Sequence, residues 1–285
     1  MPLLTEYEKR RNIANSKAEE LTRRFPCIEA IMVTGSVATG KVDAFSDLDL
    51  LCYVEGPIPA SIKKYEQMKL DELSGIEIAS SDDVYAVNYE IQGVKCEIQG
   101  VKCEMVYFSI SFVEQKLMNL IQYKHHSFST HTVATGILQS LSLYDKSGVL
   151  AGWKCSLSAY PEDIGSWLIT EHLNFYSRAE MERGLVRNDL VYLAEKKLKN
   201  QEKLLAIWCG LNRMYYPGKT KGLIYTLSQM KMKPNNAEFR MMNLWRVPAE
   251  ESINILTDLI EDTFDLIELY RSDLVVSEAR QQFLK

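Results

Sequence analysis

The sequence has no apolar segment close to the ~20 residues that a helix needs to span a membrane. Its first residues, MPLLTEYEKRR, are charged and lack the apolar core of a secretory signal peptide. We therefore expect a cytoplasmic protein that makes no contact with a membrane.

Cysteine motifs and a basic surface are missing as well. The six cysteines are scattered and include no Cys-x-x-Cys pair, which favours reduced thiols over zinc ligands or disulfides. The net charge of −5 argues against a protein that binds nucleic acid through a general basic surface. With 46% hydrophobic and 25% charged residues, the composition is that of a globular protein and not of a disordered chain.

Histidine is scarce, and three of the four histidines lie close together at His125, His126 and His131. A zinc site would need further ligands at helical or hairpin spacing, and the neighbouring sequence offers none. We therefore interpret these three residues as surface or loop histidines.

The most informative segment of the chain runs from Ile31 to Val54. Its pattern predicts a strand, a glycine turn, a short helix and a second strand. Gly35 and Ser36 follow the first apolar run. Glycine lets main chain approach a phosphate closely, and N–H groups at the start of a helix attract anions. We therefore predict that Gly35 and Ser36 bind the phosphates of a nucleotide.

Two acidic residues, Asp47 and Asp49, open the second strand of this segment. Residues two apart on a strand share a face, so the two carboxylates would stand side by side, ~7 Å apart at Cα, while Leu48 points into a core. Carboxylates held this close repel each other, and a divalent cation relieves the repulsion. Mg²⁺ suits such a site, because it binds through one or two carboxylates and the phosphates of a substrate.

The Gly-Ser pair, ten intervening residues and the Asp-Leu-Asp triplet resemble the signature of the DNA polymerase β-type nucleotidyltransferase superfamily. The segment FSDLDL at residues 45–50 is typical of the small bacterial members of this superfamily. The resemblance implies that the protein transfers a nucleotide with the help of metal ions, and that a third Asp or Glu stands on a later strand.

A tandem repeat surrounds the expected position of this third carboxylate. The heptapeptide EIQGVKC occupies residues 90–96 and again residues 97–103. Glu104 leads directly into the apolar run Met-Val-Tyr-Phe, which predicts a central strand, and the third acid of the family usually stands at the start of such a strand. We therefore predict Glu104 as the third catalytic and metal-binding residue. Glu97 remains the alternative, because strand register is poorly determined by sequence.

Beyond residue 160 the sequence changes to helical spacing of apolar residues. We predict an α+β protein with a nucleotidyltransferase domain at residues 1–150, built as a mixed sheet with helices on one face, and a helical bundle at residues 151–285. Predicted helices cover 6–25, 60–73, 112–123, 130–140, 162–183, 186–211, 222–231 and 249–272, and predicted strands cover 31–33, 47–54, 82–91, 104–108 and 141–144.

One segment of the helical half, residues 211–221, is similar to a segment in the helical domain of bacterial small-molecule nucleotidyltransferases. That resemblance implies a lysine, together with a tyrosine and an asparagine, that face the triphosphate of the nucleotide. It points to Lys219 first, and then to Asn212 and Tyr215. The alternative is a helix end with a Pro-Gly stop and exposed lysines.

The resemblance implies two Mg²⁺ ions and ATP or another NTP as substrate. It leaves the acceptor open. Relatives of this size with a helical second domain include enzymes that adenylylate aminoglycosides and lincosamides, so a small molecule bound between the domains is the expected acceptor. The alternatives are a protein or tRNA acceptor, as in toxin–antitoxin nucleotidyltransferases, and a catalytically degenerate nucleotide-binding module. Base preference and oligomeric state are not predicted.

Overall fold

The computed structural model of the chain describes residues 5–91, 100–124, 126–218 and 220–285. It divides into two compact units, of which the first comprises Met1–His125 and Val133–Ala159 and the second comprises His126–Thr132 and Tyr160–Lys285. The sequence predicted a division at residues 150 and 151. The contacts instead assign residues 151–159 to the first unit and residues 126–132 to the second.

One six-stranded mixed sheet lies at the centre of the first unit. Its strands are β1 (Ile28–Val33), β2 (Leu48–Val54), β3 (Ile76–Ser80), β4 (Val84–Ile91), β5 (Val101–Ser109) and β6 (Leu141–Asp145). They are arranged in the order β3-β4-β5-β2-β1-β6. Strands β2 and β5 pair in parallel, and the other neighbouring pairs are antiparallel.

Within the described ranges, six helices precede, separate or follow these strands along the first part of the chain. They are α1 (Glu6–Arg24), α2 (Gly35–Thr39), α3 (Ala60–Leu73), α4 (Ile110–Ile121), α5 (Phe128–Gln139) and α6 (Val149–Ser158). A capping box starts α1, because the Thr5 hydroxyl accepts from the Glu8 N–H while the Glu8 carboxylate accepts from the Thr5 N–H.

The core of the first unit lies on one face of the sheet, where α1 and α3 cover it. Alternate residues of the two central strands fill it, namely Leu48, Leu50, Cys52 and Val54 on β2 and Cys103, Met105 and Tyr107 on β5. The residues between them face the opposite side. On that side Tyr53 stacks on Phe108 and meets the edge of Trp153 from α6. The Asp49 and Glu104 side chains share this second face, further along the same strands.

The second unit is helical. Its helices are α7 (Glu162–His172), α8 (Arg178–Val186), α9 (Leu190–Leu211), α10 (Leu223–Ser228), α11 (Ala237–Asn243), α12 (Ala249–Tyr270) and α13 (Ser277–Leu284), together with the start of α5. The predicted α+β class with a helical second part is confirmed. Within the described residues, no helix has the length and apolar character needed to cross a membrane.

The single helix predicted over residues 162–183 is wrong, because the chain forms α7 and α8 there. The Asn200 side chain bonds both the N–H and the carbonyl of Tyr176 at 2.9 Å, which replaces the helical partners of that residue. Ser177 then starts α8 with a capping box to Glu180. A buried amide from another helix therefore interrupts a sequence that is helical by pattern alone.

One ionisable group, Glu66 of α3, is fully buried in the core of the first unit. The Tyr107 hydroxyl donates to Glu66 Oε1 at 2.5 Å. Burial raises the pKa of Glu66, because the charged carboxylate is desolvated there. The folded state therefore holds a proton that the unfolded chain releases at lower pH.

We expect Glu66→Gln to stabilise the protein at pH 8 and to have little effect near pH 4.5. Since the pKa of Glu66 is raised in the folded state, the free energy of unfolding falls as pH rises through the window above the unfolded pKa. Glutamine keeps the acceptor oxygen for Tyr107 and removes the charge. The gain is expected at pH 8 and not near pH 4.5, as measured by urea unfolding at both pH values.

The matched control is Glu72→Gln, since Glu72 is an exposed glutamate of the same helix, paired with Lys69. It is expected to change stability little at either pH. A loss of stability in Glu66→Gln at pH 8 would contradict a raised pKa of Glu66 in the folded state.

Candidate active site

Two acidic residues stand opposite each other on the central parallel strands. Asp49 of β2 is aligned with Glu104 of β5, so their Cα atoms are separated by about one strand spacing, ~4.8 Å, and their side chains share a face. Both side chains are half-buried. The structure thus brings Glu104 beside Asp49, whereas the alternative, Glu97, lies outside the described residues.

Asp47 is placed differently from Asp49. It precedes the first residue of β2, so it has no partner in the ladder between β2 and β5. It is half-buried and lies two residues before Asp49 at the same end of the strand. The loop that leads into the strand, and not the sheet, therefore fixes its main chain.

Gly35 lies directly against the Asp49 carboxylate. It has a positive φ of 66°, and a Cβ at this position would come within 2.4 Å of Asp49 Oδ2. The Thr34 N–H donates to the Asp49 carbonyl at 3.0 Å, which holds the start of α2 against β2. Ser36 follows in the first turn of α2. The Gly-Ser turn and the acidic pair predicted from the sequence therefore belong to one site.

Asn88 of β4 extends this row of side chains, and sequence reasoning missed it. It is aligned with Glu104 in the antiparallel pair of β4 and β5, so Asn88, Glu104 and Asp49 share one face of three adjacent strands. The signal was present in the sequence, because Asn88 is a polar residue between the buried Val87 and Tyr89. An amide beside a carboxylate offers two N–H donors to a hydroxyl-bearing ligand.

The donors of this site suit a hard cation such as Mg²⁺, since they are carboxylate oxygens next to a main-chain turn that can admit phosphate. Among the described residues, no group of three His, Cys, Asp or Glu side chains is placed to hold a metal ion by itself. Asp47, Asp49 and Glu104 stay the predicted ligands of such an ion, although the described residues do not gather these three side chains into one metal-binding group.

In the second unit, Asn212 caps the end of α9 with every hydrogen-bonding group of its side chain occupied. Its Nδ2 donates to the carbonyls of Trp208 and Met232, and its Oδ1 accepts from the N–H groups of Lys231 and Met232. The amide has no further donor or acceptor for a nucleotide. Asn212 therefore fixes the loop after α10 to the end of α9.

The other two residues predicted in this segment are Lys219 and Tyr215. Lys219 lies outside the described residues. Tyr215 is buried, which raises its pKa to about 12, and its ring meets the edges of His131 and Tyr160. Tyr215 is thus part of a packed aromatic cluster of the second unit.

The interpretation of the histidines as surface or loop residues is wrong for His131. Only 1% of its surface is exposed, and its ring lies 5.5 Å from that of Trp167. Burial lowers the pKa of His131 to about 4, so the imidazole is neutral at physiological pH. Its Nδ1 accepts from the Tyr216 N–H at 3.3 Å. This histidine serves the packing of the second unit, and His125 lies outside the described residues.

We expect Gly35→Ala to destabilise the protein more than Gly40→Ala does. Both glycines have positive φ, and so both substitutions carry the same conformational cost of ~1 kcal/mol. Only the Cβ at position 35 collides with another residue, since nothing lies within 4 Å of the position at Gly40. Urea unfolding measures the difference, which reports the contact with Asp49. Equal losses in the two variants would show that α2 does not press on Asp49.

Two family models match the sequence. Residues 15–110 match the nucleotidyltransferase domain, and residues 126–221 match DUF4037, a domain of unknown function. Comparison with curated protein sequences gives no significant match.

Solved structures of nucleotidyltransferases show weak similarity to this chain. A nucleotidyltransferase-like protein from Exiguobacterium sibiricum aligns over 92% of this chain and 77% of its own, at 8% identity and a TM-score of 0.37. The Cid1 poly(U) polymerase aligns over 46% of this chain and 40% of its own, at 14% identity and a TM-score of 0.29. A cytoplasmic RNA terminal U-transferase aligns over 45% and 38%, at 13% identity and a TM-score of 0.28.

This chain therefore spans 40% or less of the length of these two RNA-modifying enzymes, and similarities at such TM-scores support no conclusion about substrate. The match to the nucleotidyltransferase domain does not depend on these structural similarities. The matched region includes Gly35, Asp47, Asp49 and Glu104. Residues 15–110 thus match the model of a nucleotidyltransferase domain, the kind of domain that the Gly-Ser and Asp-Leu-Asp motifs predict.

Proposed function

We propose that the protein transfers a nucleoside monophosphate, in the first instance AMP from ATP, to a hydroxyl group of a small molecule. The observation that carries the proposal is the contact of the Gly35 turn with Asp49, which is itself aligned with Glu104. A phosphate-binding turn and two carboxylates within one strand spacing of each other are the parts that nucleotidyl transfer requires.

Each residue of the site has a distinct role in this reaction. Gly35 and Ser36 bind the triphosphate through main-chain N–H groups at the start of α2. Asp47, Asp49 and Glu104 hold the metal ions. When bound, two Mg²⁺ ions supply charge neutralisation at the phosphate oxygens.

The transfer itself breaks one bond to phosphorus and forms another. The acceptor hydroxyl oxygen attacks the α-phosphorus, and the bond to pyrophosphate breaks. Glu104 either completes the metal site or accepts the hydroxyl proton as general base. Lys219 remains our candidate for the cation that contacts the leaving pyrophosphate, and the occupied side chain of Asn212 takes no part.

Our choice of acceptor class is based on the net charge of the chain. A chain with a net charge of −5 suits a cationic small molecule such as an aminoglycoside better than it suits the backbone of a nucleic acid. A lincosamide is the second small-molecule candidate. Transfer to protein or tRNA is the alternative activity. The alignment of Glu104 with Asp49 argues against a degenerate module, because that pair costs stability through repulsion unless a cation is bound.

We expect Asp47→Asn and Glu104→Gln to lower the rate of transfer by ~10²–10⁴-fold without loss of folding. Each substitution keeps the size of the side chain and removes a charge that binds metal. The assay follows label from α-³²P-ATP onto aminoglycosides and lincosamides in the presence of Mg²⁺. Glu77→Gln on the exposed edge strand β3 serves as the control and is expected to keep full activity.

The same assay distinguishes the acceptors. Label on an antibiotic supports the proposed function, whereas label on protein or RNA selects the alternative. A chain whose melting temperature rises with Mg²⁺ and a non-hydrolysable ATP analogue at millimolar concentration, but which labels no acceptor, would be a degenerate nucleotide-binding module. A chain that shows neither effect would overturn the proposed function. Full activity of Asp47→Asn would mean that the metal site is assigned to the wrong residues.

A further inference from the structure

Arg10 of α1 is a buried arginine, with 3% of its surface exposed. Its Nε donates to the carbonyl of Ser46 at 2.7 Å, and its Nη2 donates to the carbonyl of Ala44 at 3.3 Å. Its Nη1 bonds the Glu6 carboxylate at 2.5 Å. Burial of a guanidinium is costly unless its donors are satisfied, and here two of the three nitrogens are used on a loop 34 to 36 residues away.

The loop that Arg10 binds is also closed by its own hydrogen bonds. Asp43 Oδ1 accepts from the Phe45 N–H and from the Ser46 hydroxyl, each at 2.9 Å, and the Asp43 N–H donates to Ser46 Oγ at 3.0 Å. Yet the loop is not part of the core, because Phe45 at its tip is 94% exposed. A buried charge therefore fixes the shape of a surface loop.

The residue that follows this loop is Asp47. Asp49 needs no such support, because β2 is paired on both sides around it and its carbonyl accepts from Thr34. Asp47 stands before the first residue of the ladder. The bond from Arg10 to the Ser46 carbonyl is made at the peptide group that joins Ser46 to Asp47, so it fixes the main chain where Asp47 begins.

We propose that Arg10 is a positioning residue for Asp47, which it holds in place for metal binding through the Asp43–Ser46 loop. The inference rests on the proposed function, because it takes Asp47 as a metal ligand. Arg10 touches neither metal nor substrate in this role. It replaces, from α1, the strand pairing that Asp47 lacks.

The test is a Mn²⁺ titration followed by electron paramagnetic resonance, with saturating α,β-methylene-ATP, at a temperature where circular dichroism shows every variant folded. Arg10→Met removes the donors and keeps the apolar stem, and it is expected to weaken Mn²⁺ binding about tenfold. Arg10→Lys keeps the charge but cannot bond both carbonyls, so an intermediate loss is expected.

Two further variants keep the test independent of folding. Asp43→Ala opens the same loop from its exposed side and is expected to weaken Mn²⁺ binding as Arg10→Met does. Glu6→Gln removes the charged partner of Arg10 and leaves the two loop bonds in place, so Mn²⁺ affinity should stay at the wild-type value even where stability falls.

A double-mutant cycle with Asp47→Asn decides between positioning and general stabilisation. If Arg10 acts through Asp47, Arg10→Met causes no further loss of Mn²⁺ affinity in the Asp47→Asn background. An additive loss, or wild-type affinity in Arg10→Met alone, would overturn the inference and leave the proposed function standing. A wild-type protein that binds no Mn²⁺ with the nucleotide would overturn both.

Discussion

Repulsion between the carboxylates of Asp49 and Glu104 is the constraint on which the site depends. The two residues cannot move apart, because β2 and β5 are hydrogen-bonded neighbours in the middle of the sheet. Their register is fixed by the opposite face, where Leu48, Leu50, Cys103 and Met105 are fully buried. A shift by one residue would bring these side chains to the open face. The hydrophobic core therefore holds together two charges that would otherwise separate.

The order of the strands places the residues of the site in one row across the sheet. The Gly-Ser turn follows β1, Asp49 belongs to β2, Glu104 belongs to β5 and Asn88 to β4, and these four strands are adjacent in that order. Successive strands are ~4.8 Å apart. Under the proposed function, the triphosphate lies at the β1 end of this row. The acceptor hydroxyl then approaches from the β4 end, where Asn88 offers amide groups beside Glu104.

Much of this arrangement could be predicted from sequence, because the parts that carry it have strong periodicity. The helix at Ala60–Leu73 and the strands that hold the acidic pair are where the pattern placed them. Strand β3 was missed although Ile76, Glu77 and Ile78 alternate in polarity, because the strand has only five residues and lies exposed at the edge of the sheet. The break between α7 and α8 depends on Asn200, and the burial of His131 depends on Trp167. Contacts of this kind join residues far apart in the chain, and local pattern does not contain them.

Gly35 and Asp49 also limit how this protein can evolve. Glycine is the smallest residue and aspartate is the shortest side chain that ends in a carboxylate, so the pair already stands at the lower limit of size on both sides. Every missense codon at position 35 adds a Cβ within 2.4 Å of the carboxylate position. No second substitution at position 49 can restore the clearance and keep the acid. A substitution at position 35 therefore requires the Asp49 carboxylate to move away from the turn.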